Sequence, residues 1–278
     1  MDAIPFDAYL ATLTPESQPT VSLSTVSHLQ LAHVCTFAFQ SLSTLLQQNI
    51  QLDADSLYQK IVLKREGGFC FELNGLFLLL LQHLGFEARA ITGRIIQDNQ
   101  PDISHTRTHM AILLHLEEQD YLVDVGFGGL VPTAPLLLSE TSAQATPHGQ
   151  YRLQQQDGNY ILSTQVAEEW RMLYAFDLQK VWHVDLEMGS WFVSTHPDSP
   201  FLTRLMAART EPAGIRHTLL NTRYSIHTQG QNSEQHELHN ADEVLQLLQQ
   251  VFKIQLPNSA QVHDSVQKFL NQLPTPQE

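Results

Sequence analysis

Cys70 is the side chain best suited to nucleophilic chemistry. It lies in the segment REGGFCFELN, residues 65–74, behind two glycines and at the predicted start of a helix. The N–H groups and dipole of a helix N-terminus favour negative charge, and the thiolate is the reactive form of cysteine. The glycines also let backbone and substrate approach closely. The setting predicts a nucleophilic thiol; the structural alternative is a small core residue beside Phe69 and Phe71.

A cysteine nucleophile needs a base and a group that orients the base, because a free thiol is mostly protonated at pH 7. Among the fourteen histidines, His109 is the best placed, since it opens the apolar strand HMAILLHL. Asp124 lies in the next strand, YLVDVGF, between two valines, where an unpaired carboxylate would be costly. A hairpin with an even number of loop residues puts both side chains on one face.

Contact between His109 and Asp124 depends on the register of that hairpin. A register centred on the Leu116/Glu117 junction would place them directly opposite, whereas a four-residue EEQD turn would leave them four residues apart on the diagonal. Taken singly, His109 fits a structural histidine and Asp124 fits the cap of a turn. Together with Cys70 they predict a thiol enzyme with a Cys-His-Asp triad.

Two helices are predicted to position the thiol. Residues 51–62 form a helical pattern with Asp55 or Ser56 as its N-cap. From Cys70 onward the apolar residues follow helical spacing, with leucines all round, so this second helix is predicted to be central and buried. Gly85 is its predicted C-terminal stop.

Strands are predicted to carry the partners of the thiol. Short β-type runs bounded by turn residues follow from Phe86 to about residue 205. In the tail, Asn240 with Glu243 three residues later resembles a capping box ahead of a further helix. A last amphipathic helix is predicted from the spacing of five apolar residues: Val262, Val266, Phe269, Leu270 and Leu273.

Composition narrows the classes of partner and compartment. The 278 residues, 42% of them hydrophobic, can form a globular core. A formal net charge of −14 argues against a nucleic-acid or anionic-membrane surface, so neither partner is expected. The first twenty residues lack a basic, apolar leader pattern, and no apolar run reaches the ~20 residues of a membrane span, so we expect a cytoplasmic protein. Its two cysteines, Cys35 and Cys70, are expected to stay thiols.

The motifs, taken in order, resemble those of the arylamine N-acetyltransferase family. They are REGGFCFELNGLF, an HM pair that opens a strand, VDVGFGG, PLLL and WFVSTHPDSPF. The family pattern places an arginine and paired glycines ahead of a catalytic cysteine in an ELN segment, followed by a histidine in an HM pair and an aspartate in a VDVGFG strand. The combination is highly specific, and the likeness extends over nearly the whole chain.

The resemblance implies an α+β fold in three parts, the papain-like cysteine acyltransferase fold. These parts are an N-terminal helical bundle with Cys70 at residues 1–90, a central β-barrel with His109 and Asp124 at residues 91–205, and a C-terminal α/β lid at residues 206–278. Residue by residue, Cys70 matches the acyl-accepting thiol, His109 the base that forms a thiolate–imidazolium pair, and Asp124 the carboxylate that orients the imidazole.

The resemblance also implies binding residues. Phe127 matches the aromatic residue that lines the arylamine pocket, and its neighbours Gly126 and Gly128 would leave room for the pantetheine arm of coenzyme A. A loop that contacts coenzyme A mainly through backbone atoms is matched by Thr106, Arg107 and Thr108. The phosphates of coenzyme A need a local basic group, for which the sequence offers four arginines without choosing among them: Arg107, Arg204, Arg209 and Arg216.

One block departs from the family pattern. After His33 the family has a proline followed by Phe-Glu-Asn, whereas this chain has Ala38, Phe39, Gln40 and Ser41 at those positions. Arg65 is therefore expected to lose an ionic partner. No metal site is predicted, because His105 and His109 lie in a loop that leads into a strand, and HELH in the tail lacks the two-residue gap of the HExxH zinc motif.

The implied reaction is a ping-pong acetyl transfer. An acetyl group passes from acetyl-coenzyme A to Cys70 as a thioester, and from there to an arylamine, arylhydrazine or N-hydroxyarylamine. Acetyl-coenzyme A is then a co-substrate, with no cofactor bound permanently. A related amide synthase that closes a polyketide macrolactam and a thiol peptidase or transglutaminase-like enzyme are the alternatives, with a non-catalytic binding module more distant. A homodimer is left open.

Overall fold

The N-terminal part of the chain is helical. The computed structural model describes residues 4–14, 19–97, 99, 105–256 and 259–273. A short π-helix, Tyr58–Leu63, directly continues α4. The α-helices here are α1 (Phe6–Leu13), α2 (Leu23–Thr36), α3 (Leu42–Leu45), α4 (Ala54–Leu57) and α5 (Cys70–His83).

Helix α5 lies at the centre of this part, as its apolar pattern predicts. Leu73, Leu76 and Phe77 have no exposed surface, and they pack against α1, α2 and the π-helix. The helix ends at His83 with Leu84 as its C-cap, and Gly85 follows with a φ of 88°, the left-handed conformation that glycine adopts at low cost. Burial of one whole face in the main core fixes where Cys70 sits.

The predicted N-cap of the preceding helix is wrong. Asp53 caps α4, since its side chain accepts a hydrogen bond from the Ser56 N–H at 3.0 Å. Asp55 and Ser56 lie within the first turn, where acidic and small polar residues are also common, which is why spacing alone misplaced the cap. Asn240 is the N-cap of the helix that follows it, with its side chain accepting from the Glu243 N–H at 2.9 Å. The reciprocal half of the expected capping box differs, because the Glu243 carboxylate accepts from the His239 N–H at 2.8 Å.

The middle of the chain forms an antiparallel eight-stranded sheet that curls into a nearly closed barrel. Its spatial order is β5-β4-β3-β2-β9-β8-β7-β6, and its apolar interior includes Tyr151 and Tyr174. The strands are β2 (Glu87–Ile95), β3 (His109–Leu116), β4 (Gln119–Val123), β5 (Leu136–Leu137), β6 (Gln144–Thr146), β7 (Gly149–Gln156), β8 (Asn159–Val166) and β9 (Glu169–Phe176).

A second antiparallel sheet forms the C-terminal part, and helix α6 (His183–Thr195) with a 3-10 turn at Pro200–Leu202 leads into it. Its spatial order is β1-β10-β11-β12-β13, so β1 from the N-terminal part supplies an edge strand. The remaining elements are β1 (Phe39–Gln40), β10 (Met206–Glu211), β11 (Ile215–Leu220), β12 (Arg223–Thr228), β13 (Glu234–Glu237), α7 (Ala241–Gln250) and α8 (Ser259–Leu270).

Helices α7 and α8 cover one face of this second sheet through a common apolar cluster. The division of the chain at residues 90 and 205 stays a prediction, and the first of these positions falls inside β2. In the part of the chain that the structure describes, no helix combines the length and apolarity needed to cross a bilayer.

Candidate active site

Cys70 is the first residue of α5 and is buried. The helix starts there because the Glu72 carboxylate accepts a hydrogen bond from the Phe69 N–H at 3.0 Å, which satisfies one of the free donors of the first turn. Gly67 has a φ of 68°, and a Cβ at this position would collide with the carbonyl oxygen of Ala38. The path into α5 therefore requires glycine for a structural reason as well.

A buried ion pair supports this helix start. The Glu72 side chain is 1% exposed, and its second oxygen pairs with the ammonium group of Lys60, which lies in the π-helix. Sequence reasoning missed Lys60, because a π turn changes the spacing at which side chains face a neighbouring helix. A carboxylate this deeply buried needs such a partner.

The hairpin of β3 and β4 brings the histidine and the aspartate together. Leu116 pairs with Gln119, so the turn consists of two residues, Glu117 and Glu118, whose φ angles are 53° and 59°. These angles belong to the two-residue turn that matches strand twist. Both expected registers are wrong: the observed one offsets His109 and Asp124 by two residues, between direct opposition and the four-residue diagonal. The even loop still places them on one face.

His109 Nε2 and Asp124 Oδ2 are 2.7 Å apart in the interior. Burial by itself lowers the pKa of His109, but the charge and hydrogen bond of Asp124, with a further hydrogen bond to Cys70, raise it to about 10. Burial by itself raises the pKa of Asp124, and the charge of His109 outweighs burial so that this pKa falls below its usual value. The pair is therefore an imidazolium and a carboxylate at neutral pH.

Asn74, one helical turn after Cys70, ties α5 to the hairpin. Its amide nitrogen donates to the Met110 carbonyl at 2.7 Å and to Asp124 Oδ1 at 2.9 Å, while its amide oxygen accepts from the Val125 N–H at 2.9 Å. Sequence reasoning gave Asn74 no role. The signal was present, because a residue at i+4 shares the helix face of Cys70.

Tyr174 of β9 completes the surroundings of the carboxylate. Its hydroxyl donates to Asp124 Oδ2 at 2.9 Å, and its ring centroid lies 4.6 Å from that of His109. The Gly126 N–H donates to Asp124 Oδ1 at 2.8 Å. Tyr174 was also missed, since a tyrosine inside an apolar strand carries no local signal for its hydrogen-bond partner.

Phe127 lies against His109 and Tyr174, with its ring centroid 5.2 Å from that of each. The glycines on either side of Phe127 pack closely against other residues of the chain. A Cβ at Gly126 would lie 2.7 Å from Cys70 Cα, and one at Gly128, whose φ is 84°, would lie 3.3 Å from the ring of Phe39. These contacts account for both glycines; room for a pantetheine arm stays a prediction.

The loop ahead of His109 reaches the thiol through its backbone. Cys70 Sγ lies 3.6 Å from the carbonyl oxygen of Thr108. Thr106 is exposed, and the Arg107 guanidinium is paired with Asp177, with a bond to the Thr92 carbonyl at 3.2 Å. The loop lies beside the thiol, and its contact with coenzyme A stays a prediction. Among the described residues, no group of three or more His, Cys, Asp or Glu side chains is arranged to hold a metal ion.

Comparison with known proteins gives the family. An N-acetyltransferase family profile matches residues 22–261. The arylamine N-acetyltransferase of Escherichia coli (strain K12) is 36% identical over 244 residues, which is 88% of this chain and 86% of that protein. The arylamine N-acetyltransferase / N-hydroxyarylamine O-acetyltransferase of Salmonella typhimurium is 40% identical over 238 residues, 86% of this chain and 84% of that one. The chain belongs to the arylamine N-acetyltransferase family.

A solved structure agrees with this assignment. Mycobacterium marinum arylamine N-acetyltransferase in complex with CoA superposes with a TM-score of 0.89 at 33% identity, over 95% of this chain and 99% of that chain. The predicted family, the three-part α+β fold and the prediction of an acetyl-CoA-dependent acyltransferase are confirmed. The arylamine N-acetyltransferase family uses acetyl-CoA as a co-substrate.

The block that departs from the pattern of the arylamine N-acetyltransferase family is well packed. Gln40 is buried, and its amide donates to Ser43 Oγ at 2.9 Å and to the Glu66 carbonyl at 3.1 Å. Ser41 Oγ accepts from the Met206 N–H at 2.9 Å. The guanidinium of Arg65 lies 5.0 Å from the centroid of the Phe37 ring. This cation–π contact stands in place of the ionic partner that the family pattern would offer.

Three of the four arginines considered for the phosphates are occupied within the described structure. Arg107 pairs with Asp177. Arg209 pairs with Glu211 and donates to the Val251 and Cys35 carbonyls at 2.7 and 3.0 Å. Arg216 is 6% exposed. Arg204 is exposed, at the entrance to β10.

Proposed function

We propose that this chain transfers an acetyl group from acetyl-CoA, through a thioester on Cys70, to arylamines, arylhydrazines or N-hydroxyarylamines. The observation that carries this proposal is the buried His109–Asp124 pair, joined at 2.7 Å, together with a buried cysteine at a helix N-terminus that helps to raise the pKa of His109. A histidine with only a structural role would need no thiol beside it. It would also not require the Asp124 carboxylate to be buried in its ionised form.

In the first half-reaction Cys70 is the nucleophile and His109 the proton carrier. His109 already holds the proton of the Cys70 thiol as an imidazolium, and the thiolate sulfur forms a bond to the thioester carbonyl carbon of acetyl-CoA. Backbone N–H groups at the start of α5 stabilise the negative oxygen of the tetrahedral intermediate. The bond to the sulfur of CoA then breaks, and the imidazolium returns its proton to the departing thiolate.

In the second half-reaction the acceptor attacks the thioester on Cys70. As the acceptor nitrogen or hydroxyl oxygen bonds to the carbonyl carbon, His109 takes its proton, and the Cys70 sulfur leaves with the electron pair of the broken bond. Asp124 holds the imidazole by its Nε2 and stabilises its charge throughout, so Asp124 itself need not change protonation. The same three residues serve both halves.

Aromatic side chains near the thiol support an aromatic acceptor. The rings of Phe39 and Phe201 are 6.0 Å apart, those of Phe69 and Phe201 are 5.7 Å apart, and Phe127 lies against His109. Such walls favour a flat ring and exclude the water that would hydrolyse the acetyl-enzyme. We also place at this site the coenzyme contacts through Thr106–Thr108 and the room beside Gly126 and Gly128.

Arg204 is our choice for the phosphates of the coenzyme, since it is the exposed member of the four arginines. Exchange of Arg204 for alanine should raise the KM for acetyl-CoA and leave the KM for the acceptor unchanged, because the acceptor carries no phosphate. We also propose a cytoplasmic location, where acetyl-CoA is at hand and both cysteines stay thiols, as they are here.

Initial rates with two varied substrates test the proposal. The release of CoA is followed at several concentrations of acetyl-CoA and of an arylamine such as aniline. A ping-pong route through Cys70 predicts parallel double-reciprocal lines, and no activity in Cys70→Ala beside full activity in Cys35→Ala. Intersecting lines, or activity that survives in Cys70→Ala, would refute it. Poor turnover of acetyl-CoA by the intact protein points instead to an amide synthase.

A further inference from the structure

The segment Gly126–Gly129 is held between three parts of the molecule. Gly126 faces Cys70 of α5, and Gly128 faces Phe39 of β1. Gly129 faces the C-terminal sheet: a Cβ at Gly129 would lie 2.6 Å from Cγ2 of Thr218 in β11. Only one residue of the segment, Phe127, carries a side chain, so the position of its ring follows from where these backbone contacts place the segment.

Arg216, two residues before Thr218 on β11, binds the backbone of Gly129 and of Val131, which follows this segment. One guanidinium nitrogen donates to the carbonyls of Gly129 at 3.0 Å and Val131 at 2.9 Å. The other donates to the His148 carbonyl at 3.2 Å and to the Tyr151 hydroxyl at 2.8 Å. The planar, fixed arrangement of donors in guanidinium makes this fourfold contact possible, and an ammonium group could not reproduce it.

The charge of Arg216 has no carboxylate partner among the residues that the structure describes, although its side chain is 6% exposed. A buried cation satisfied by carbonyls alone is costly, so stability alone is a weak reason for it. What the buried guanidinium does is fix positions, because it joins β11 to two loops of the barrel through one rigid group.

We propose that Arg216 is a positioning residue for the acetyl acceptor. Through the carbonyls of Gly129 and Val131 it sets where the Phe127 ring lies, and this ring lies 5.2 Å from His109 where the acceptor must pass. The inference rests on the proposed function. It adds that the C-terminal sheet, which supplies no residue to the triad, determines how well an aromatic acceptor fits.

Arg216→Lys tests this directly, because lysine keeps the positive charge but lacks the planar arrangement of guanidinium donors. We expect the KM for an arylamine to rise about tenfold or more, as for a misplaced binding group. The rate at which acetyl-CoA alone acetylates Cys70 should stay within about twofold, since the triad does not touch Arg216. The matched control is Arg209→Lys, in the neighbouring strand β10, whose guanidinium contacts Val251 and Cys35 instead of the barrel loop. It should change neither value.

A second pair of variants moves the same segment from its other side. Gly129→Ala puts a methyl group against Thr218 Cγ2, and Thr218→Ser removes that Cγ2. Gly129→Ala should raise the acceptor KM as Arg216→Lys does, and Gly129→Ala/Thr218→Ser should restore it. If Arg216→Lys fails to fold, Tyr151→Phe should also raise the acceptor KM, because it removes one acceptor of the guanidinium together with the hydroxyl's own bonds to the Leu130 and Val131 carbonyls at 3.1 and 2.9 Å.

A readout independent of acetyl transfer separates this inference from the proposed function. Alkylation of Cys70 by iodoacetanilide is compared with alkylation by iodoacetamide, which lacks the ring. The ratio of the two rates should fall in Arg216→Lys and stay unchanged in Arg209→Lys, whether or not the wild type acetylates its substrates. An unchanged ratio and an unchanged acceptor KM in Arg216→Lys, or an equal slowing of both half-reactions, would overturn the positioning role.

Discussion

At the scale of single residues, the carboxylate of Asp124 accounts for the state of His109. Asp124 Oδ1 accepts hydrogen bonds from Asn74 and from the Gly126 N–H, and Oδ2 accepts from Tyr174 and faces His109. Every direction in which a proton could approach this carboxylate is already filled by a donor. The ionised form is therefore favoured, and a neighbouring imidazolium follows from it.

Replacement of Asp124 by asparagine removes the charge that stabilises the His109 imidazolium, and the resulting loss of stability should depend on pH. The pKa of His109 is raised from 6.5 to about 10, so its contribution is complete below 6.5 and is lost as pH rises through 10. The pKa of Asp124 is lowered, so its contribution is complete above 3.8 and is lost only in stronger acid. Urea unfolding at pH 6 should show a loss of about 3–5 kcal/mol. This loss should shrink towards pH 10; a loss that grows would contradict the assignment.

Tyr174→Phe removes one donor to Asp124 and keeps the ring. We expect a loss of about 1.5–3 kcal/mol in the free energy of unfolding, as for a hydrogen bond to a charged group. We also expect the acetylation of Cys70 to slow by about tenfold, as the imidazole loses orientation. Tyr160→Phe on the next strand is the matched control, because its ring stacks on Phe176 away from the triad. Equal effects in both variants would deny Tyr174 a role in orientation.

At the scale of elements, the start of α5 depends on the π-helix before it. Lys60 in that π-helix and Glu72 in α5 form a buried ion pair, and Glu72 also caps the Phe69 N–H. An isolated helix dipole is a small effect, typically below 1 kcal/mol at an exposed end. Here the first turn is held from two sides, so the thiol keeps its place relative to His109.

Lys60→Met leaves the Glu72 carboxylate buried without a counter-charge. Thermal or urea unfolding should show a loss of about 3–5 kcal/mol, and Lys60→Met/Glu72→Gln should recover part of it, because the unpaired charge is then gone. Lys64→Met, at an exposed lysine one turn later, should change stability by less than about 0.5 kcal/mol. A double variant no better than Lys60→Met would mean that packing, and not charge, holds the helix start.

The sequence predicted those elements whose signals are local. The helix from Cys70 to Gly85 follows from apolar spacing and a terminal glycine, and the shared face of His109 and Asp124 follows from an even hairpin loop. The register itself depended on two glutamates adopting positive φ, which no propensity favours. The roles of Lys60, Tyr174 and Arg216 depend on which segments meet in three dimensions, and no spacing within one segment can show that.

At the scale of the whole molecule, the three parts of the chain all contribute to one site. The N-terminal helices supply Cys70, the barrel supplies His109 and Asp124, and the C-terminal sheet contacts the glycine segment through Arg216 and Thr218. The protein as a whole carries a net charge of −14. An anionic co-substrate must approach against that field.

Ionic strength should therefore change the use of acetyl-CoA. The Debye length falls from about 30 Å at 0.01 M to about 8 Å at 0.15 M salt. We expect kcat/KM for acetyl-CoA to rise about two- to fivefold over this range, as repulsion is screened. The uncharged thioester S-acetyl-N-acetylcysteamine should show no such rise. A rate for acetyl-CoA that falls with salt would mean that local basic groups dominate the approach.

Intact-protein mass spectrometry can show whether Cys70 carries the acetyl group. The protein is mixed with acetyl-CoA in the absence of any acceptor, and peptide mapping locates the added mass. We predict one acetyl group per chain, on Cys70, that disappears when an arylamine is added and never forms in Cys70→Ala. A chain that stays unmodified, or an acetyl group that forms equally well in Cys70→Ala, would show that Cys70 is not the acetyl carrier.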